Sequence, residues 1–133
     1  CKVYFLGENI NPIAILSKAN LFVMPTYYEG LSNQILEALF CNIPIYASNC
    51  KGNIELFKIL KSVSINAEDK LTLLPMLNDY KSKRIWTNKI ISITNKKYKK
   101  KNEPSGKLIE PFSLAVNSEK WLEIIKSIIG LSP

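Results

Sequence analysis

The 133-residue sequence contains no histidine. Its three cysteines, Cys1, Cys41 and Cys50, are odd in number and lack the spacing of metal ligands, so nothing completes a zinc site. Free thiols in a reducing compartment are the simpler reading. Long apolar runs are missing too. None approaches the ~20 residues that span a bilayer, and the start has neither the basic segment nor the sustained apolar stretch of a secretory signal. What is present is a globular composition, 47% apolar. Its length fits one domain that buries roughly two thirds of its unfolded surface.

Acid is scarce in one region only. Residues 81–107 hold ten Lys or Arg against the single acid Glu103, whereas residues 1–60 hold four Lys and four Glu. The excess of positive charge, +7 for the chain, is therefore regional. Such a segment can meet anionic membrane lipid, at about 1 kcal/mol per basic residue near the surface. It can equally meet nucleic-acid phosphate or form a solvated helical face. It lacks the regular aromatic interleaving of a base-stacking surface, so no specific nucleic-acid partner is expected.

The apolar pattern of the first half alternates between short strands and short helices. Val3–Leu6 reads as a strand, Pro12–Lys18 as a helix capped by Asn11, and Leu21–Met24 as a second strand. A helix over 32–41 starts at Ser32 and stops at Asn42, a residue that tolerates the left-handed terminator. Strand Ile43–Ala47, helix Ile54–Leu60 and a short strand Val63–Ile65 follow. This order predicts an α/β fold, a Rossmann-like parallel sheet with flanking helices. Residues 1–67 form the expected β/α core. Residues 68–133 read as mainly helical, with helices over Lys70–Asp79, Lys83–Ile93 and Ser118–Ile129 and the basic segment 81–107 among them.

The chemistry concentrates between Pro25 and Ile45. Glu29 sits in the turn after an apolar strand, Gly30 allows close backbone approach, and Ser32 opens a helix whose apolar face is Ile35, Leu36, Leu39 and Phe40. Asn33 and Glu37, four apart, share its polar face. Backbone N–H groups at Gly30, Leu31 and Ser32 lie at a helix N-terminus, which favours an anion by ~0.3 to 1 kcal/mol. Carboxylates accept hydrogen bonds from vicinal hydroxyls, so the turn offers both an anion site and hydroxyl acceptors.

The order Pro25-Thr26-Tyr27-Tyr28-Glu29-Gly30-Leu31-Ser32-Asn33 through Glu37-Ala38, followed by Ile43-Pro44-Ile45, resembles the retaining GT-B glycosyltransferases with a Glu-x7-Glu motif. The likeness extends to Val3-Tyr4-Phe5-Leu6-Gly7 and to Ala47 through Glu55, about half the chain, with a fainter echo in Phe112-Ser113 and Trp121 through Ile125. It implies the C-terminal, donor-binding half of a GT-B fold and transfer of a hexose from a nucleotide diphosphate sugar, expected to be UDP-linked. The acceptor is expected to be a cell-surface glycan or its lipid-linked precursor. By the same resemblance Glu29 is the catalytic carboxylate beside the donor sugar and Glu37 holds the ribose. Gly30, Leu31, Ser32 and Asn33 meet phosphate and sugar hydroxyls, and Glu55 is a weaker match. No metal and no cofactor beyond the sugar nucleotide are expected.

The family's Arg and Lys that face the leaving diphosphate, and its acceptor domain, lie upstream of the position of Val3. The chain is accordingly expected to be truncated and to need an N-terminal GT-B domain as partner. A cytoplasmic location is expected, with peripheral contact to anionic membrane through 81–107. The alternatives are a non-catalytic nucleotide-binding or interaction remnant and a basic nucleic-acid binder.

Overall fold

A computed structural model describes residues 2–8, 11–63 and 66–94. Its centre is a parallel sheet of three strands, β1 (Phe22–Met24), β2 (Ile45–Ser48) and β3 (Leu71–Leu74), in the order β1-β2-β3. Phe22 pairs with Ile45 and Ile45 with Leu71, so the strands start level and end on one edge. The helices are α1 (Pro12–Leu16), α2 (Asn33–Phe40), α3 (Lys51–Val63), α4 (Ala67–Lys70) and α5 (Tyr80–Thr94).

All four residues of β2 are buried, as a central parallel strand with helices on both faces requires. Its alternate side chains divide the core. Ile45 and Ala47 pack with Ile35, Ala38 and Leu39 of α2, Leu56 and Leu60 of α3, and Leu16 of α1. Tyr46 points the other way, into a smaller cluster with Leu74 and Trp86, lined by Ile90 and Ile93 of α5. The Trp86 indole N–H donates to the Pro75 carbonyl at 2.7 Å, satisfying the one polar atom of that ring.

The ends of α2 follow from local sequence. The Ser32 hydroxyl accepts from the Ile35 N–H at 3.4 Å, and Ser32 itself keeps extended backbone angles, as an N-cap does. Asn42 takes a positive φ of 56°. The Asn42 N–H then donates to Leu39 O and the Ile43 N–H to Ala38 O, the paired bonds of a Schellman stop. Asn11 caps α1 by accepting from the Ala14 N–H, with Pro12 at the first helical position.

Three expectations are corrected. Lys70–Asp79 is not a helix: Leu71–Leu74 is the third strand, paired along its length with β2. Leu71, Leu74 and Leu77 recur at helical spacing, but three leucines within four residues fit either period, and the open edge of β2 decided it. The sheet therefore runs past residue 67, and a division there falls inside α4. Val3–Leu6 forms no strand, with Phe5 98% exposed. A strand needs a ladder partner, and among the described residues none lies beside it. Val63 closes α3 rather than opening a strand. The helix expected over Ser118–Ile129 and the charge run after Asn95 lie outside the described residues.

Candidate functional site

Two strand-to-helix turns meet at the carboxyl edge of the sheet, where open α/β sheets bind ligands. The β1–α2 turn runs from Pro25 to Ser32; the β2–α3 turn is only Asn49 and Cys50. The first carries the expected site residues. Glu29 and Glu37 are half-buried, Gly30, Leu31 and Asn33 are exposed, and Ser32 is buried. Ile35, Ala38 and Leu39 turn inward from α2, so Asn33 and Glu37 do lie on its other face.

Ser32 spends its hydroxyl on the helix. It accepts from the Ile35 N–H and stands 3.5 Å from the Met24 sulfur, so its side chain positions α2 rather than reaching outward. What α2 offers a ligand is its first-turn backbone N–H groups, which have no helical carbonyl to bond. The N-terminal end of the helix dipole adds its positive field there.

The β1–α2 turn is held by residues that sequence reasoning missed. Thr26 donates its hydroxyl to Tyr28 O at 2.9 Å, and Tyr27 donates its phenol to Leu77 O at 2.7 Å, fifty residues away. Ser48, at the end of β2, donates its hydroxyl to Thr26 O. Asn53 donates Nδ2 to Ser48 O at 2.8 Å, while its Oδ1 is buried without a hydrogen-bond partner. Gly52 lies directly beneath the carbonyls of Glu29 and Gly30. A Cβ there would overlap both oxygens, whereas one on Gly30 would meet open space. The only sequence signal for this contact is a glycine two residues beyond a strand-ending turn, which is weak on its own.

Glu55, the weaker match, is exposed on α3. A shallow cleft of about 390 Å³ opens on the same edge of the sheet. It is lined by Asn49, Pro75, Met76, Lys81 and Ile85 among others, and it contains none of the expected site residues. At its rim Asp79 caps α5: its carboxylate accepts from the Ser82 N–H at 2.7 Å, and Ser82 Oγ accepts from the Asp79 N–H. The Ser82 N–H donated to the Asp79 carboxylate, helped by the Ser82 side chain, holds that carboxyl below its ordinary value. Among the described residues no three His, Cys, Asp or Glu are grouped to hold a metal, and no helix is long and apolar enough to cross a membrane.

A three-stranded parallel sheet with flanking helices, its helix N-termini at one edge, is a Rossmann-like α/β half. The model of the family described as "Glycosyl transferases group 1" matches residues 1–71, more than half the chain and both turns. The chain belongs to that family, and its sheet with flanking helices is that of half a GT-B fold.

Relatives agree with this. Over 49 residues it is 43% identical to an uncharacterized glycosyltransferase of Methanocaldococcus jannaschii, covering 37% of this chain and 12% of that protein. Two Campylobacter jejuni enzymes also match. N,N'-diacetylbacillosaminyl-diphospho-undecaprenol alpha-1,3-N-acetylgalactosaminyltransferase is 36% identical over 53 residues, 40% of this chain and 14% of that one. N-acetylgalactosamine-N,N'-diacetylbacillosaminyl-diphospho-undecaprenol 4-alpha-N-acetylgalactosaminyltransferase is 31% identical over 94 residues, 66% of this chain and 26% of that one. The chain thus spans between about an eighth and a quarter of these relatives' length. No solved structure matches it.

Proposed function

We propose that this chain is the donor-binding part of a retaining glycosyltransferase. It passes a hexose from a nucleotide diphosphate sugar, UDP-linked, to a glycan or lipid-linked acceptor. The observation that carries the reading is the placement of Glu29 and the N-terminus of α2 in one turn at the carboxyl edge of the sheet. As the bond from the sugar to the diphosphate breaks, negative charge grows on the leaving phosphate. The free N–H groups of the first turn of α2 are oriented beforehand toward such a charge. Glu29 accepts hydrogen bonds from the donor sugar beside the reacting centre. Glu37, one turn along α2 from Asn33, accepts from the ribose hydroxyls. Gly30 lets the diphosphate come close to backbone, with Leu31, Ser32 and Asn33 completing the contact.

The reaction in this reading uses no metal or added cofactor, and an N-terminal GT-B domain supplies the acceptor site. The two Campylobacter relatives, named for diphospho-undecaprenol substrates, favour a lipid-linked acceptor. Its place is then the cytoplasmic face of a membrane, with residues 81–107 against anionic lipid. Of these, Lys81, Lys83, Arg84 and Lys89 are exposed on α5.

The test uses the complete protein with UDP-hexoses and polyprenyl-diphosphate sugar acceptors, followed by NMR of the product. A product that keeps the donor's anomeric configuration supports the reading. UDP binding without transfer would favour the non-catalytic remnant instead. Changing Lys97, Lys99, Lys100 and Lys101 together to Gln should weaken binding to anionic vesicles and leave nucleotide affinity alone. Unchanged vesicle binding removes the membrane role.

A further inference from the structure

Asn53 occupies the third position of α3, yet its amide bonds outside its own helix. It is fully buried. Nδ2 donates to Ser48 O, and Oδ1 has no partner. Turning the amide over does not help, because Oδ1 would then face the Ser48 carbonyl, acceptor against acceptor. A leucine has nearly the same outline and would remove the stranded Oδ1, at the cost of the donor that Ser48 O accepts from. Buried unpaired acceptors are rare enough that each one asks for a reason.

The reason lies in where the chain of bonds leads. Asn53 fixes the end of β2 at Ser48. The Ser48 hydroxyl donates to Thr26 O, and the Thr26 hydroxyl donates to Tyr28 O, the residue before Glu29. One position before Asn53, Gly52 abuts the carbonyls of Glu29 and Gly30. The backbone of Glu29 is therefore tied on one side by hydrogen bonds and stopped on the other by a close contact. Both constraints come from the start of α3 and the end of β2, neither of which carries a residue assigned to substrate.

We propose that Asn53 and Ser48 are positioning residues that set the carboxylate of Glu29 for transfer. This rests on the reading of Glu29 as the group beside the reacting sugar. Placement is what such a group contributes: a shift of about 1 Å can lower a rate on the order of 100-fold. An amide that strands one acceptor is kept because its donor does what leucine cannot.

The experiment compares Asn53→Leu, Ser48→Ala and Ser48→Thr in the complete protein, by donor kinetics and thermal melting. Asn53→Leu is expected to stay folded with a melting temperature within a few degrees of the parent's, while kcat falls at least ~10-fold and the donor KM moves less than about threefold. Ser48→Ala should lose turnover in the same way, and Ser48→Thr, which keeps the hydroxyl, should restore most of it. Adding Asn53→Leu to Glu29→Gln should deepen the loss little, because both remove one function. Parent-like kcat and KM in Asn53→Leu, or losses that simply multiply with Glu29→Gln, overturn the proposal. If Asn53→Leu does not fold, the serine pair decides, and equal turnover in the two overturns it. A parent that transfers no sugar overturns the functional reading, and the positioning role falls with it. An active parent with indifferent variants overturns positioning alone.

Discussion

The two turns at the carboxyl edge do opposite work with opposite materials. The β1–α2 turn is long and carries side chains toward solvent, with Tyr28 90% exposed and Glu29 only half-buried. The β2–α3 turn is two residues long and flanked by the buried Ser48 and Asn53, with Gly52 pressed on its neighbour's backbone. One turn presents groups and the other fixes the first in place. Groups presented by a loop keep their place only on a rigid scaffold, and here the scaffold is the adjacent turn.

The contrast breaks most severely at its glycines. Gly52→Ala should destabilise the fold by about 3 kcal/mol, because its Cβ would overlap two backbone oxygens that cannot swing aside as a side chain would. Gly30→Ala should leave stability within ~0.5 kcal/mol, since open space surrounds that position. It should still weaken UDP binding if the diphosphate approaches that backbone. Urea unfolding and calorimetry of UDP binding check the pair, and equal destabilisation by the two variants would erase the distinction between the turns.

Within the presenting turn, Glu29→Gln should lower kcat roughly 100-fold in the complete enzyme with a modest change in donor KM. Glu37→Gln should mainly raise that KM, about tenfold for loss of a charge-assisted ribose hydrogen bond. Steady-state kinetics distinguish them, and the reverse pattern exchanges the two roles. A smaller effect belongs to Ser32→Ala, which removes the cap of α2 and should lower stability by about 1 kcal/mol in urea unfolding. Its donor affinity should follow only through the orientation of the first turn.

The smallest effect is at the third turn, before α5. Asp79 has its native pKa lowered by the hydrogen bonds from Ser82. Its contribution is therefore present above the ordinary carboxylate range and is lost as pH falls through the lowered native value. Asp79→Asn should flatten the acid side of the stability profile and leave the neutral plateau nearly unchanged. Thermal melting between neutral pH and the acid limb measures this, and a parent-like acid slope in the variant would remove Asp79 from the account.

How legible each element was depended on how local its causes are. α2 was read with its cap, its terminator and its buried face because Ser32, Asn42 and the spacing of Ile35 and Leu39 act within one or two turns. Helix α5 was legible from its core but began three residues earlier than expected, at Tyr80, because the Asp79 and Ser82 cap was not recognised. β3 was mistaken for helix because Leu71–Leu74 has no local signal stronger than the free edge of β2. The site residues divided in the same way. Glu29, Gly30, Asn33 and Glu37 became candidates from their order along the chain. Ser48 and Gly52 act on residues more than twenty positions away, and Asn53 acts through Ser48, so a glycine was the only local sign of the contact.

By itself, then, the sequence determined the alternation of strand and helix, the cap and stop of α2, and the run of residue types that marks the family. Each depends on backbone preferences and side-chain spacing inside a short window. Only the tertiary structure decided that Leu71–Leu74 joins the sheet, that Val3–Leu6 pairs with none of the described residues, and that one turn holds the other. Those outcomes depend on which edges and carbonyls come within hydrogen-bond or van der Waals reach, a distance that no window along the chain contains.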